Sequence, residues 1–228
     1  MAAEETFIIN KTRISDQVYD YLRGEILTGR FAPGQQLKPE ELVARLKISK
    51  MPVKEAIARL AAEGLLDVQA QRGTFVSRVD PRDLKETFEV RRALEMLAGE
   101  LAVERVAKAD IEQLRALVAE MEGSNKKTDV GRHLELNYKF HGVIVELSDN
   151  RRLIETYHRL RVPIQMAGIH YRSENWIERV AQEGREHRAI VQALEEKDAE
   201  AVSRAISEHI KRGSASLLKD VERSVAQE

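Results

Sequence analysis

After Pro81 the apolar residues of this chain recur at helical spacing and at no other. In "PRDLKETFEVRRALEMLAGELAVERV" the positions Leu84, Phe88, Leu94, Leu97, Ala98 and Leu101 mark one face of a long helix. The same period runs through "DIEQLRALVAEME", "HLELNYKFHGVIVELS", "NRRLIETYHRLRVPIQMAG", "ENWIERVAQEGREHRAIVQALEEK" and "DAEAVSRAISEHIKRGSASLLKDVE". A segment that can bury apolar surface only along helical stripes must stack helix on helix, so roughly six antiparallel helices forming an all-α bundle are expected. Asp110 is placed as the N-cap of the second, Pro163 kinks or breaks the fourth, and Lys197 and Asp198 separate the last two.

The first third reads differently. "RISDQVYDYLRGEILTG" carries Ile14, Val18, Tyr21, Leu22 and Ile26 on a helix stopped at Gly29, and "FAPGQQL" turns at Pro33 and Gly34. "PEELVARL" is a short helix with Leu42, Val43 and Leu46 inward. Ser49 then caps a third helix whose apolar face is Val53, Ile57, Leu60 and Ala61 and whose end is Gly64. "LLDVQAQRGTFVS" changes to strand alternation around a turn near Gln71, Arg72 and Gly73. Three helices followed by a β-hairpin wing is the layout of a winged helix-turn-helix. The fold expected is therefore mainly α, with a winged helix-turn-helix over residues 1–78 and an all-α domain over residues 79–228.

Charge follows the same division. The net charge of −1 hides a basic stretch from Ala44 to Arg78, where seven Lys or Arg meet three acids, against 25 Lys or Arg and 27 acids from Pro81 onward. A local excess of cations is what a module that meets phosphate needs. With no cysteine, disulfides and thiolate metal sites are excluded. The opening "MAAEETFIINKTR" lacks the pattern of a secretory leader, and no apolar run approaches the ~18 residues of a membrane span. A cytoplasmic protein with no membrane partner is expected.

In a helix-turn-helix the second helix of the pair meets the major groove by its N-terminal end. Ser49, Lys50 and Lys54 lie there, and Pro52 is tolerated because first-turn N–H groups have no intrahelical partner. Arg72 and Gly73 at the wing tip suit an adjacent minor groove. Taken singly these cations would be ordinary solvated charges; together, in this layout, they point to DNA.

The run from Gly24 to Ser77 resembles the DNA-binding domain of GntR-type bacterial transcription regulators. The family pattern "G-x-x-x-PG-x-x-L" falls on Gly29 to Leu37, and its "VSR-x-PVREAL-x-x-L-x-x-EGL" on Ile48 to Leu65. Its "RG-x-x-V" falls on Arg72 to Val76. Lys50 and Lys54 stand where the family has arginines; lysine keeps the phosphate charge but lacks the planar fork that reads guanine.

Three histidines of the helical domain have apolar neighbours on different predicted helices: His141, with Asn137 one turn before it, His187 and His209. A bundle core is a usual place for a metal, and imidazole is its commonest ligand. A histidine on an apolar face is also commonly a hydrogen-bonded core residue, and spacing leaves both readings open. His133, His158 and His170 are read as surface or core residues. The region from Arg82 to about Ala215 resembles the FCD ligand-binding domain of the FadR subfamily, through "EVRRALE" (Glu89 to Glu95), "NYKFH" (Asn137 to His141), "EHRAIVQAL" (Glu186 to Leu194) and "HI" at His209.

That resemblance implies metal ligation by Asn137, His141, His187 and His209, with Arg91 in reach of an effector. The metal implied is a divalent transition ion, zinc first, with manganese or nickel as alternatives. Asn137 replaces the usual aspartate, so four neutral ligands leave the metal charge uncompensated; a carboxylate effector bridging metal and Arg91 would supply the missing charge. The function expected is a homodimeric regulator that binds pseudo-palindromic, double-stranded operator DNA under control of a small organic acid. Two alternatives are a metal sensor, in which the metal itself is the signal, and a metal-dependent hydrolase. The hydrolase is disfavoured because Glu186, the acid beside a ligand in sequence, projects away from His187 around the helix, so no enzyme is expected.

Overall fold

The computed structural model describes residues 13–123, 130–160, 164, 166–168 and 176–226. The chain divides into two compact units, one ending at Ser77 and the other containing Arg78 onward together with Leu27–Gly29. Pro163, the expected kink, and His170 lie outside the described residues.

In the first unit α1 (Ile14–Leu27) buries Val18, Leu22 and Ile26 at four-residue steps, while Ile14, read as part of that face, is exposed at the helix start. α2 (Pro39–Leu46) begins on its proline and ends at Lys47 in the left-handed conformation. α3 (Lys50–Ala62) buries Val53, Ala56, Ile57 and Leu60. Ser49 occupies the N-cap position with extended backbone, but its side chain makes no capping hydrogen bond. The wing strands β2 (Leu66–Gln69) and β3 (Gly73–Val76) pair antiparallel from Leu66 opposite Val76 to Gln69 opposite Gly73. A further strand joins them: β1 (Gln36–Leu37), inside the segment read as a turn, pairs with β3 and gives the sheet order β1-β3-β2.

The second unit is a helical bundle. Its described helices are α4 (Pro81–Ala102), α5 (Lys108–Gly123), α6 (Val130–Leu147), α7 (Arg151–Arg159), α8 (Trp176–Glu195) and α9 (Ala199–Val225). Asp80, Asn150 and Asp198 cap α4, α7 and α9 by accepting backbone N–H bonds. Asp110 is no N-cap: α5 starts two residues earlier, and the Asp110 side chain instead accepts from the N–H of Ala107, as the third residue of a capping box does. α4 is central, packing on α6, α7 and α9, while α5 lies on α6 and α8. Its inward stripe is Leu84, Phe88, Arg91, Glu95, Ala98 and Ala102; Leu97, expected inside, is one position off that stripe and 43% exposed.

Candidate functional site

Three helices of the bundle turn polar stripes inward at four-residue spacing, and a fourth adds one residue. α4 supplies Arg91 and Glu95; α6 supplies His133, Asn137 and His141; α8 supplies Arg179, Glu183 and His187; α9 supplies His209. Residues four apart sit one above another on a helix, so the apolar periodicity that buries each helix also buries its polar members.

His141, His187 and His209 converge. One ring nitrogen of each lies within 4.8 Å of the others, and all three side chains are buried. The Nε2 atoms of His141 and His209 face each other at 3.2 Å. Their far nitrogens both face carboxylates: His209 Nδ1 donates to Glu186 Oε2 at 2.8 Å, and His141 Nδ1 lies 2.6 Å from Glu95 Oε2, close enough for an ion pair though outside hydrogen-bond geometry. A carboxylate only accepts, so it fixes the proton on Nδ1 and turns a bare Nε2 lone pair toward the centre. Two lone pairs at that separation repel unless a cation or proton lies between them. About 3.3 Å is the spacing of two nitrogens that share one tetrahedral zinc at 2.0–2.1 Å. His187 Nε2 and Asn137 Oδ1 are buried with no hydrogen-bond partner. The three imidazoles therefore fit a divalent transition metal, chemically and by spacing, and the orphaned amide oxygen of Asn137 lies one helical turn from His141.

Behind the histidines stand two matching relays. Arg91 donates from Nε to Glu95 Oε1 at 2.5 Å, and Arg212 donates from Nε to Glu186 Oε1 at 2.5 Å. Burial alone would raise the Glu95 carboxyl, but the Arg91 guanidinium and His141 hold it down at about 2. Burial pushes His141 down to about 4 despite Glu95, and pushes His187 well below its ordinary value. His141 and His187 are thus kept neutral, the form that binds metal. The sequence reading missed these acids. Glu186 does diverge from His187 on α8, but α9 brings His209 to it; and Glu95 signals itself only as an acid on a core-facing stripe, one turn after Arg91. Arg91 is buried and lines two cavities with Asn137, of about 30 and 50 Å³. His133 is buried on Glu183 at 2.8 Å, and His158 bonds Tyr138 and Glu146 at the surface, so neither joins the cluster.

At the other end of the chain, Lys50 and Lys54 are exposed in the first turns of α3. Lys50 Nζ is paired with Glu40 Oε1 of α2 at 2.8 Å. Arg72 is exposed at the wing tip, and its carbonyl accepts from Gln36 Nε2 at 3.1 Å. Gly73 follows at φ 118, where a Cβ would stand 2.6 Å from Gln36 Nε2.

A winged helix-turn-helix followed by a helical bundle with a buried histidine cluster is the architecture of a transcriptional regulator. The chain belongs to the GntR family of bacterial regulatory proteins, whose model matches residues 14–76, in the group that carries an FCD domain, matched over residues 86–212. It is 26% identical over 210 residues to the HTH-type transcriptional repressor RspR of Escherichia coli K12, covering 92% of this chain and 91% of that one. It is 30% identical over 202 residues to the probable D-xylose utilization operon transcriptional repressor of Paenarthrobacter nicotinovorans, covering 89% and 88%. Among solved structures, E. coli McbR/YncC superposes with a TM-score of 0.77 at 26% identity, covering 92% of this chain and 99% of that one. These relatives are regulators, which removes the hydrolase alternative. No described helix is long and apolar enough to cross a membrane.

Proposed function

We propose that the chain is a homodimeric regulator of double-stranded operator DNA, with residues 1–78 as the DNA-binding unit. Residues 79–228 would bind a metal and a small carboxylate effector and form the dimer. The relatives named as repressors support operator DNA as the partner. Ser49, Lys50 and Lys54 would meet the major groove, and Arg72 and Gly73 the minor groove beside it. Asn137, His141, His187 and His209 would hold the metal, zinc first and manganese or nickel next. The observation that carries this is the pair of Nε2 atoms turned together by Glu95 and Glu186. When bound, the metal supplies a positive centre on which a carboxylate docks. Arg91, held by Glu95, lines the adjoining cavities and would orient that acid. Two recognition helices at a fixed spacing read two half-sites, and an acid shifts DNA affinity only by binding the two spacings unequally.

The test is selection of duplex DNA by the purified protein, followed by titration of the selected sequence with organic acids, with and without zinc. A pseudo-palindrome whose affinity responds to acids only in the zinc-loaded protein is the expected result, and His141→Ala should lose both metal and response. A response to zinc alone would establish the metal-sensor alternative instead, and unchanged metal content in the His141→Ala protein would remove the site.

A further inference from the structure

We infer that the cavity beside the histidine cluster has a second polar pole, formed by His133 and Trp176, that binds a hydroxyl group; resting on the acid-effector reading above, it makes the effector a small hydroxy acid. The cavity of about 50 Å³ is lined by both residues together with Arg91, Asn137 and His209. His133 and Trp176 are 2% and 5% exposed, their rings edge to face at 5.0 Å. His133 Nδ1 and Trp176 Nε1 are each buried with no hydrogen-bond partner. Leaving such a group unpaired is costly, so two on one cavity mark where a polar guest belongs.

The guest's chemistry follows from what these atoms can do. His133 Nε2 lies 2.8 Å from Glu183 Oε2, and Glu183 is itself braced by Arg179 at 3.2 Å. The carboxylate accepts, so Nε2 is the donating nitrogen, and the tautomer this contact selects leaves Nδ1 as the acceptor. Trp176 Nε1–H can only donate. A single atom that donates to one and accepts from the other is a hydroxyl oxygen. A carboxylate oxygen would satisfy Trp176 but turn a lone pair on His133, and an alkyl group would satisfy neither. Along α6, His133 lies one turn before Asn137, and both line the cavity with Arg91 and His209, so hydroxyl and carboxylate would occupy opposite ends of it. Its small volume limits the guest to a short chain.

The experiment is calorimetric titration of the zinc-loaded, full-length protein with ω-hydroxy acids of about three to five carbons, the matching alkanoates, dicarboxylates and diols. At one chain length the hydroxy acid is expected to bind at least about tenfold more tightly than its alkanoate. In Trp176→Phe that ratio should fall to near one. Equal binding of hydroxy acid and alkanoate by the unaltered protein overturns the inference without recourse to any variant. So does a preference for dicarboxylates, which would mean that both nitrogens donate, and so does silence from every probe. Trp176-dependent binding of diols with acids ignored would uphold the hydroxyl pole and overturn the acid effector.

Discussion

Arg91 and Glu95, one turn apart on α4, form an ion pair whose members are 7% and 2% exposed. Replacing Glu95 by Gln leaves the guanidinium buried without its counter-charge, a change that typically costs about 3–5 kcal/mol. Urea denaturation should show that loss, and Arg91→Met with Glu95→Gln should cost less than the two single changes summed. Strict additivity would mean that the pair does not act as a unit. In the same Glu95→Gln protein, zinc affinity measured by chelator competition should fall by about 10–100-fold, because His141 loses the carboxylate that orients it.

Acid should destabilise the metal-free protein in two overlapping stages. His141 is held at about 4 in the fold against an ordinary 6.5, so below pH 6.5 the unfolded chain takes up a proton that the folded chain refuses. Stability drops as pH falls from 6.5 toward 4. Glu95, held at about 2 against 4.5, extends the loss from pH 4.5 downward. The urea midpoint of the metal-free protein, flat above pH 7, should decline between pH 6.5 and 4; a midpoint constant across that range would contradict the buried neutral histidine.

For DNA, Lys50 and Lys54 should not weigh equally. Lys50 is already paired with Glu40, whose carboxyl it draws below the usual carboxylate range, whereas Lys54 makes no ion pair among the described residues. Lys54→Ala is expected to weaken operator binding more than Lys50→Ala, and each to reduce the slope of log affinity against log salt by about one. Glu40→Gln should strengthen binding by releasing Lys50. Weaker binding in that variant would show that Glu40 positions the lysine for DNA.

Gly99 sits where α4 crosses α9 closely: a Cβ there would lie 2.6 Å from Val202 Cγ1 and 2.7 Å from Ile206 Cδ1. Alanine is the better helix former by about 1 kcal/mol, yet overpacking against a stiff valine costs about 1–3 kcal/mol, so Gly99→Ala should destabilise on balance. A raised melting temperature would show that the two helices can separate without penalty.

The helices were legible because each buries a stripe at a fixed period, and residues such as Leu84, Phe88, Val53 and Ile57 repeat that period locally. β1 was not legible: two residues paired to a distant strand carry no alternation to detect. The histidines were visible one helix at a time. Their carboxylate partners were not, since Glu186 meets His209, and Glu95 meets His141, only after different helices pack together. His133 could have been found, as it continues the Asn137–His141 stripe by one more turn, though nothing in the chain announces its contact with Trp176.

The stripe on α6 works as a ruler. Successive members, His133, Asn137 and His141, are offset by about 6 Å along the axis, the rise of four helical residues. A guest in the cavity meets the first two of these graduations, His133 and Asn137, whereas the helix that carries them is anchored by other residues, Leu136, Phe140 and Ile144. Preference for a guest of different length is therefore open to change by exchanging a single graduation, with the frame that holds the scale left untouched.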